Sequence, residues 1–140
     1  MAAALLSLSG VFLATYLYLY KIGRIGSLAC GTGACETVQL SPYARFVGVE
    51  VALIGIGGYL ALVGASLGTL QVPAGTRSGA GNALLLLAMV GLGFTLYLTA
   101  IELFVLHAIC RWCVGSAVII CLIFLSALVD WRRSRWPAPR

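Results

Sequence analysis

Four long apolar runs, parted by three polar interruptions, organise this chain. The runs cover about residues 2–20, 47–70, 83–106 and 111–130. A helix needs about 20 such residues to cross the hydrocarbon of a bilayer, so each run predicts one membrane span. The expected fold is therefore all-α: an integral membrane bundle of four transmembrane helices, with no separate soluble domain in 140 residues. The first run lacks a basic leading segment and a small-x-small cleavage site, and it reads as an uncleaved first span.

The interruptions carry most of the punctuation. Run one closes at Lys21, followed by Gly23, Arg24 and Gly26, with Tyr16, Tyr18 and Tyr20 as an interfacial belt. The loop after it, from about Lys21 to Phe46, is the longest and is the natural place for chemistry or docking. Within it, Thr37 to Arg45 predicts a short amphipathic helix at the interface. Run two contains Gly48, Gly55, Gly57, Gly58, Gly64 and Gly68, which predict a close-packing helix face. Gln71 to Asn82, with Pro73, Gly75, Arg77, Gly79 and Gly81, reads as a turn. Only a few residues around His107 separate run three from run four, so these two helices must be antiparallel neighbours. Trp131 is an expected interfacial anchor, and residues 132–140 an expected basic cytoplasmic tail.

Composition sharpens the class. Hydrophobic residues form 61% of the chain and charged residues 9%, and the mean hydropathy is +1.05, outside the range of soluble domains. The net charge of +5 is spread over loops and the tail and lines no single face, which argues against nucleic-acid binding. Arg132, Arg133, Arg135 and Arg140 follow the last run, and basic flanks favour the cytoplasm. With four spans both termini then lie inside. Lys21, Arg24, Arg45 and Arg111 fall outside, against five basic residues inside once Arg77 is counted.

That topology puts the loop after span one and the turn between spans three and four on the same, exoplasmic face, and both contain cysteine pairs. Cys30 and Cys35 enclose Gly31-Thr32-Gly33-Ala34, while Cys110-Arg111-Trp112-Cys113 opens the last span. The Cys-x-x-Cys spacing brings two sulfurs within bonding distance at a helix start, where the terminus favours a thiolate. Two such pairs on an oxidising face form a dithiol relay. A flexible loop pair meets soluble partners, and an interfacial pair meets a lipid-soluble two-electron acceptor, for which quinones are the obvious class. The competing readings are structural staples in a small membrane scaffold or assembly protein, a zinc site made of four cysteines, and a transporter, for which paired intramembrane charges are missing. No metal is expected. Cys121, amid apolar neighbours, reads as packing. Glu102 and His107, nearest the second pair, and Glu50, at the start of span two, read as hydrated interfacial groups and as candidates for proton transfer.

The arrangement resembles the vitamin K epoxide reductase family and its bacterial quinone-linked members over nearly the whole chain. The resemblance rests on Cys30 and Cys35, on Ser41 six residues later, on the run from Gly48 to Gly55, and on Cys110 and Cys113 opening the last span. Another quinone-linked family, the DsbB type, has its Cys-x-x-Cys first, the reverse of the order here. The resemblance implies a four-helix bundle around a membrane quinone such as menaquinone or ubiquinone. Cys113 would be nearest the ring, Cys110 would exchange with Cys35, and Cys30 would face a reduced partner. It implies disulfide formation in exported proteins, with a separate thioredoxin-fold (DsbA-like) oxidoreductase as that partner, because many bacterial members carry such a domain fused and this chain continues only into its basic tail. Ser41 matches the family's hydroxyl near the loop pair, where it would bind a sulfur or the quinone, or else cap the turn before Pro42. Two departures stand out: Glu50 replaces an apolar residue or proline, and Ala117 replaces the tyrosine of the animal enzymes, which weakens any transfer of epoxide chemistry.

Overall fold

The computed structural model describes residues 1–31, 33–72 and 77–136. Helix α1 (Ala2–Lys21) leads to a cap built from helix α2 (Ala34–Leu40), a 3-10 turn (Pro42–Ala44) and a two-stranded hairpin of β1 (Arg45–Phe46) and β2 (Val49–Glu50). Helices α3 (Val51–Gln71), α4 (Arg77–Ile101) and α5 (Arg111–Arg135) complete the chain, and a π-turn (Glu102–Leu106) extends α4. Among the described residues four helices are long and apolar enough to cross a membrane, as the four runs predict. They form a ring in which α1 and α4 each pack against α3 and α5.

Apolar side chains cover both the inside and the outside of this ring. Its core is Ala3, Ala14, Tyr59, Leu62, Leu84, Ala88, Ile120, Ile123 and Ala127. Leu5, Phe12 and Phe104 lie outside the cavity lining and are more than half exposed, as suits a surface against lipid. Inside, hydroxyls bond back to their own helix, Ser7 Oγ to the Ala3 carbonyl and Ser66 Oγ to the Leu62 carbonyl, both at 2.7 Å, so these polar groups are not left bare in the hydrocarbon.

Close packing falls on a different glycine from those predicted. Of the α3 glycines, a Cβ at Gly57, Gly58 or Gly64 would meet no atom within 4 Å, and only Gly55 closely approaches another helix, 3.5 Å from the Ala14 Cβ. The obligatory one is Gly10 on α1, where a Cβ would stand 2.2 Å from the Tyr59 ring. Tyr59 is large, and it is fixed across the bundle by its hydroxyl, 2.7 Å from Ser116 Oγ. Runs of small residues therefore do not reveal which helix takes the close contact.

Four boundaries differ from the sequence reading. Helix α3 starts at Val51, because Val47 (φ 52°) and Gly48 (φ 81°) make a two-residue turn that pairs Arg45 with Glu50 and Phe46 with Val49. Both turn residues lie in the left-handed region, as a tight right-twisting hairpin requires. The helix expected at Thr37–Arg45 instead spans Ala34–Leu40; it starts after left-handed Gly33 and stops at Ser41, whose place before Pro42 forces an extended backbone. The expected turn at Gln71–Asn82 shortens, since α4 begins at Arg77, and Pro73 and Gly75 lie outside the described residues. Asn82 accepts a 2.9 Å hydrogen bond from Trp131 Nε1, tying the start of α4 to the end of α5. Helix α5 runs through the basic cluster to Arg135, beyond the expected end of the span, and Arg140 lies outside the described residues.

Candidate active site

A second buried cluster lies under the cap and holds both cysteine pairs: Leu17, Leu28, Cys30, Cys35, Val38, Ala52 and Cys110, with Trp112 and Cys113 packed against it. Cys30 and Cys35 form a disulfide, their Cα atoms 6.1 Å apart. Gly31 (φ 73°) and Gly33 (φ 70°) turn the chain back tightly enough for this, and α2 begins at once so that Cys35 sits in its first turn. The segment before Cys30 is tethered by the Ala29 N–H, which donates to Tyr16 Oη at 3.2 Å. The Tyr16 ring rests on Trp112, with centroids 5.0 Å apart. A flexible loop pair is expected to be accessible, yet Cys30 is 2% exposed and Cys35 0%. Leu28 and Val38 flank the pair in sequence and drag it into the apolar cluster, so composition wins over the glycines.

An ionic clasp holds this cap down. Lys21, at the end of α1, bonds the Gln39 carbonyl and stands 3.5 Å from Glu50 Oε2, while Arg45 Nε donates to Glu50 Oε1 at 2.8 Å. Glu50 is thus the hub joining α1, α2 and the hairpin, a structural place that its position at the start of a span does not reveal. Phe46 then packs edge-on against Phe94 and Tyr97, centroids 5.6 and 6.4 Å away, and lays the hairpin on α4.

The second pair opens a helix, as its spacing predicts, and both of its cysteines are free. Cys110 is the N-cap of α5, and its sulfur accepts the Cys113 N–H at 3.4 Å. Helix N-termini stabilise negative charge at this place. The neighbouring Cys113 thiol and N–H hold the Cys110 thiol below its ordinary titration range, against the burial and the Glu102 carboxyl that push it up. Cys110 is 0% exposed, whereas Cys113 is only partly buried.

Cys113 opens onto a cavity of about 360 Å³ between the helices. Its walls are almost wholly apolar, with Leu13, Leu17, Phe46, Leu98 and Ile120 among them, and Gly55, Gly58 and Gly91 leave the space. A few polar groups interrupt the walls: Gln39, Tyr59, Thr95, Thr99, Glu102 and Ser116. Thr99 Oγ1 is bound to the Thr95 carbonyl and Tyr59 to Ser116, but the Gln39 carboxamide has no protein partner among the described residues. A flat, apolar ring carrying two carbonyl oxygens matches such a lining.

Glu102 departs most from the sequence reading. Two turns before Cys110, it is expected to be hydrated at the interface, but it is 5% exposed and its Oε2 accepts the Cys110 N–H at 3.2 Å. The π-turn explains the change. The Ala108 N–H reaches back to the Glu102 carbonyl at 3.2 Å, widening the helix so that Glu102 turns inward while Leu103, Phe104 and Val105 stay outside. His107 closes this turn in the left-handed conformation (φ 48°), exposed, with Nδ1 on the Leu103 carbonyl.

Ser41 donates to the Val38 carbonyl at 2.7 Å, closing the end of α2. It lines a small side pocket that it shares with Gln39, Glu102 and Cys113, and it does not line the main cavity. Cys121 lies exposed on the outer face of α5. Among the described residues, no three His, Cys, Asp or Glu side chains gather as metal ligands would. Tyr59, Ser116 and Gln39 escape the sequence reading; a tyrosine within a span is the one signal pointing to any of them, since a buried hydroxyl must find a partner. The sequence profile of the vitamin K epoxide reductase family matches residues 1–128. No curated protein matches the chain.

Proposed function

The chain belongs to the vitamin K epoxide reductase family, and from that premise we propose a quinone-dependent thiol oxidoreductase that makes disulfides for exported proteins. Membrane redox chemistry between disulfides and quinones is common to the family; the route through this chain is our reading. Electrons pass from a reduced thioredoxin-fold, DsbA-like partner to Cys30 and Cys35, then to Cys110 and Cys113, then to a membrane quinone. The observation that carries this is the double contact of the second pair. Cys110 packs in one cluster with the Cys30–Cys35 bridge, while Cys113 stands on the wall of the apolar cavity.

The residues around the cavity fit the acceptor. Leu17, Phe46, Leu98 and Ile120 would flank a flat ring, and the Gln39 carboxamide would donate to one of its oxygens. When bound there, a quinone supplies a two-electron acceptor within the bilayer. Once the partner has reduced the loop pair, the Cys35 thiolate attacks Cys110 of a Cys110–Cys113 disulfide and releases Cys113, and Cys30 then attacks Cys35 of the mixed disulfide, which leaves Cys30–Cys35 oxidised and Cys110 and Cys113 as thiols for the quinone. Cys30 is left to exchange with the partner. Ser41 shares the side pocket with Cys113 and is the hydroxyl we assign beside this exchange. The cysteine face is exoplasmic and both termini are cytoplasmic.

The test uses purified protein in detergent, a short-chain quinone and a reduced dithiol donor, with quinone absorbance followed over time. Wild type should reduce quinone, and Cys113→Ala should lose at least ~100-fold of that rate, since the sulfur at the acceptor is gone. The same variant should trap a Cys35–Cys110 disulfide or a mixed disulfide with the donor, seen as a gel shift; a Cys30–Cys35 bridge alone would overturn the relay order. One observation favours a second reading. Both loop cysteines are almost fully buried, as in a structural staple. A staple resists a mild dithiol, whereas the relay pair should reduce readily and reoxidise on adding quinone.

A further inference from the structure

Glu102 is buried, acidic and placed between the two things a dithiol-to-quinone reaction must connect. Its carboxyl accepts the Cys110 N–H at 3.2 Å and borders the same two spaces as Cys113. It also lines both the main cavity and the side pocket. Among the described residues it has no ion-pair partner: Lys21 and Arg45 are taken by Glu50, and the His107 ring is turned to the Leu103 carbonyl. A carboxyl left without a cation at this depth is costly, and it persists in such places for function. The π-turn that brings it inward is itself a departure from regular helix geometry of the kind found at functional sites.

We propose that Glu102 is the catalytic proton carrier of the Cys113 end, taking the thiol proton as the sulfur is oxidised and handing it to an acceptor oxygen in the cavity. The inference rests on the oxidoreductase reading above. Its balance is simple. As the Cys110–Cys113 bond forms, the two thiols lose two electrons and two protons, and a quinone becoming hydroquinone takes up the same number of each. The Cys113 thiol has one proton, and Glu102, which borders the same two spaces and bonds the Cys110 N–H, is the carboxylate placed to take it. When the proton moves to Glu102, the Cys113 sulfur is free to give up its electrons. The proton of Cys110 follows to the same carboxylate, which already accepts the Cys110 N–H, once the first has been passed on. The apolar walls offer no comparable carrier: Tyr59 is committed to Ser116, and Thr99 to the Thr95 carbonyl.

The variants are Glu102→Gln, which keeps an oxygen to accept the Cys110 N–H but carries no proton, and Glu102→Asp, which keeps the carboxyl. In quinone-free reduced protein, the rate at which a lipid-soluble maleimide alkylates Cys113, followed by mass spectrometry, reports the base directly. Glu102→Gln should slow it at least ~5-fold and Glu102→Asp should restore part of the loss. In single-turnover quinone reduction, Glu102→Gln should fall ~10²-fold, within the range for a positioned acid–base group. Wild type should show a solvent deuterium isotope effect on this step. Alkylation and single turnover at wild-type rates in Glu102→Gln would overturn the proposal. Equal losses in Glu102→Gln and Glu102→Asp would also overturn it, as they would mark a purely structural carboxyl. If wild type reduces no quinone at all, the oxidoreductase reading fails, while the alkylation rates still judge the base.

Discussion

Gly10 has no room for a side chain, because the ring of Tyr59 occupies the space in front of it and is pinned by Ser116. A Gly10→Ala Cβ would meet ring carbons at 2.2 to 2.6 Å, and ring and helix would have to part. Overpacking of this kind costs ~1–3 kcal/mol, so thermal unfolding in detergent should show a clear drop in midpoint. Cavity shape should change with it, since Tyr59 forms part of that wall. At this scale the cysteines are legible from the order of residues alone: Cys110 and Cys113 announce themselves by spacing, and the N-cap geometry follows from a helix starting between them. Glu102 is visible as an acid in an apolar run, but its direction is not. A regular helix and a π-turn place the residue on different faces, and nothing in Glu-Leu-Phe-Val-Leu declares which will form.

At the scale of elements, the cap is held less by its own length than by one carboxylate. Glu50 gathers Lys21 and Arg45, and with Lys21 on the Gln39 carbonyl the clasp joins three segments over the buried disulfide. Its side chain is 19% exposed, so the clasp contributes modestly to stability, as partly exposed pairs do. Its larger effect falls on access. Glu50→Gln should loosen the cap and raise the rate at which a water-soluble dithiol reduces Cys30–Cys35 by several fold, measured by thiol labelling, with little change in the melting temperature. An unchanged reduction rate would show that the apolar cluster around Leu28 and Val38 alone keeps the pair covered. The hairpin that carries Glu50 is not legible in the sequence. A two-residue strand has too few positions for an alternating pattern, and Val47 is a poor sign of a left-handed turn, which asparagine or glycine normally fills.

Across the whole molecule, function depends on a space. The four helices enclose a cavity of about 360 Å³ that meets Cys113 at one end, and its width comes partly from glycines on α3 and α4. Gly58→Phe adds a ring to that wall at a point where the new Cβ has no neighbour within 4 Å. The bundle should fold with little change in stability, while kcat/KM for quinone should fall about tenfold through a raised KM, read from the same absorbance assay. An unaltered KM would place the acceptor elsewhere. The number of spans, the membrane as solvent, and the meeting of two cysteine pairs on one face were all determined by the sequence. They follow from run length, from hydropathy and from the parity of antiparallel helices, which are properties of the chain read in order. The burial of the loop disulfide, the inward turn of Glu102, the Gly10–Tyr59 contact and the cavity itself were decided only by the tertiary structure. Each depends on which groups, distant along the chain, compete for the same volume, and that competition has no period or motif to betray it.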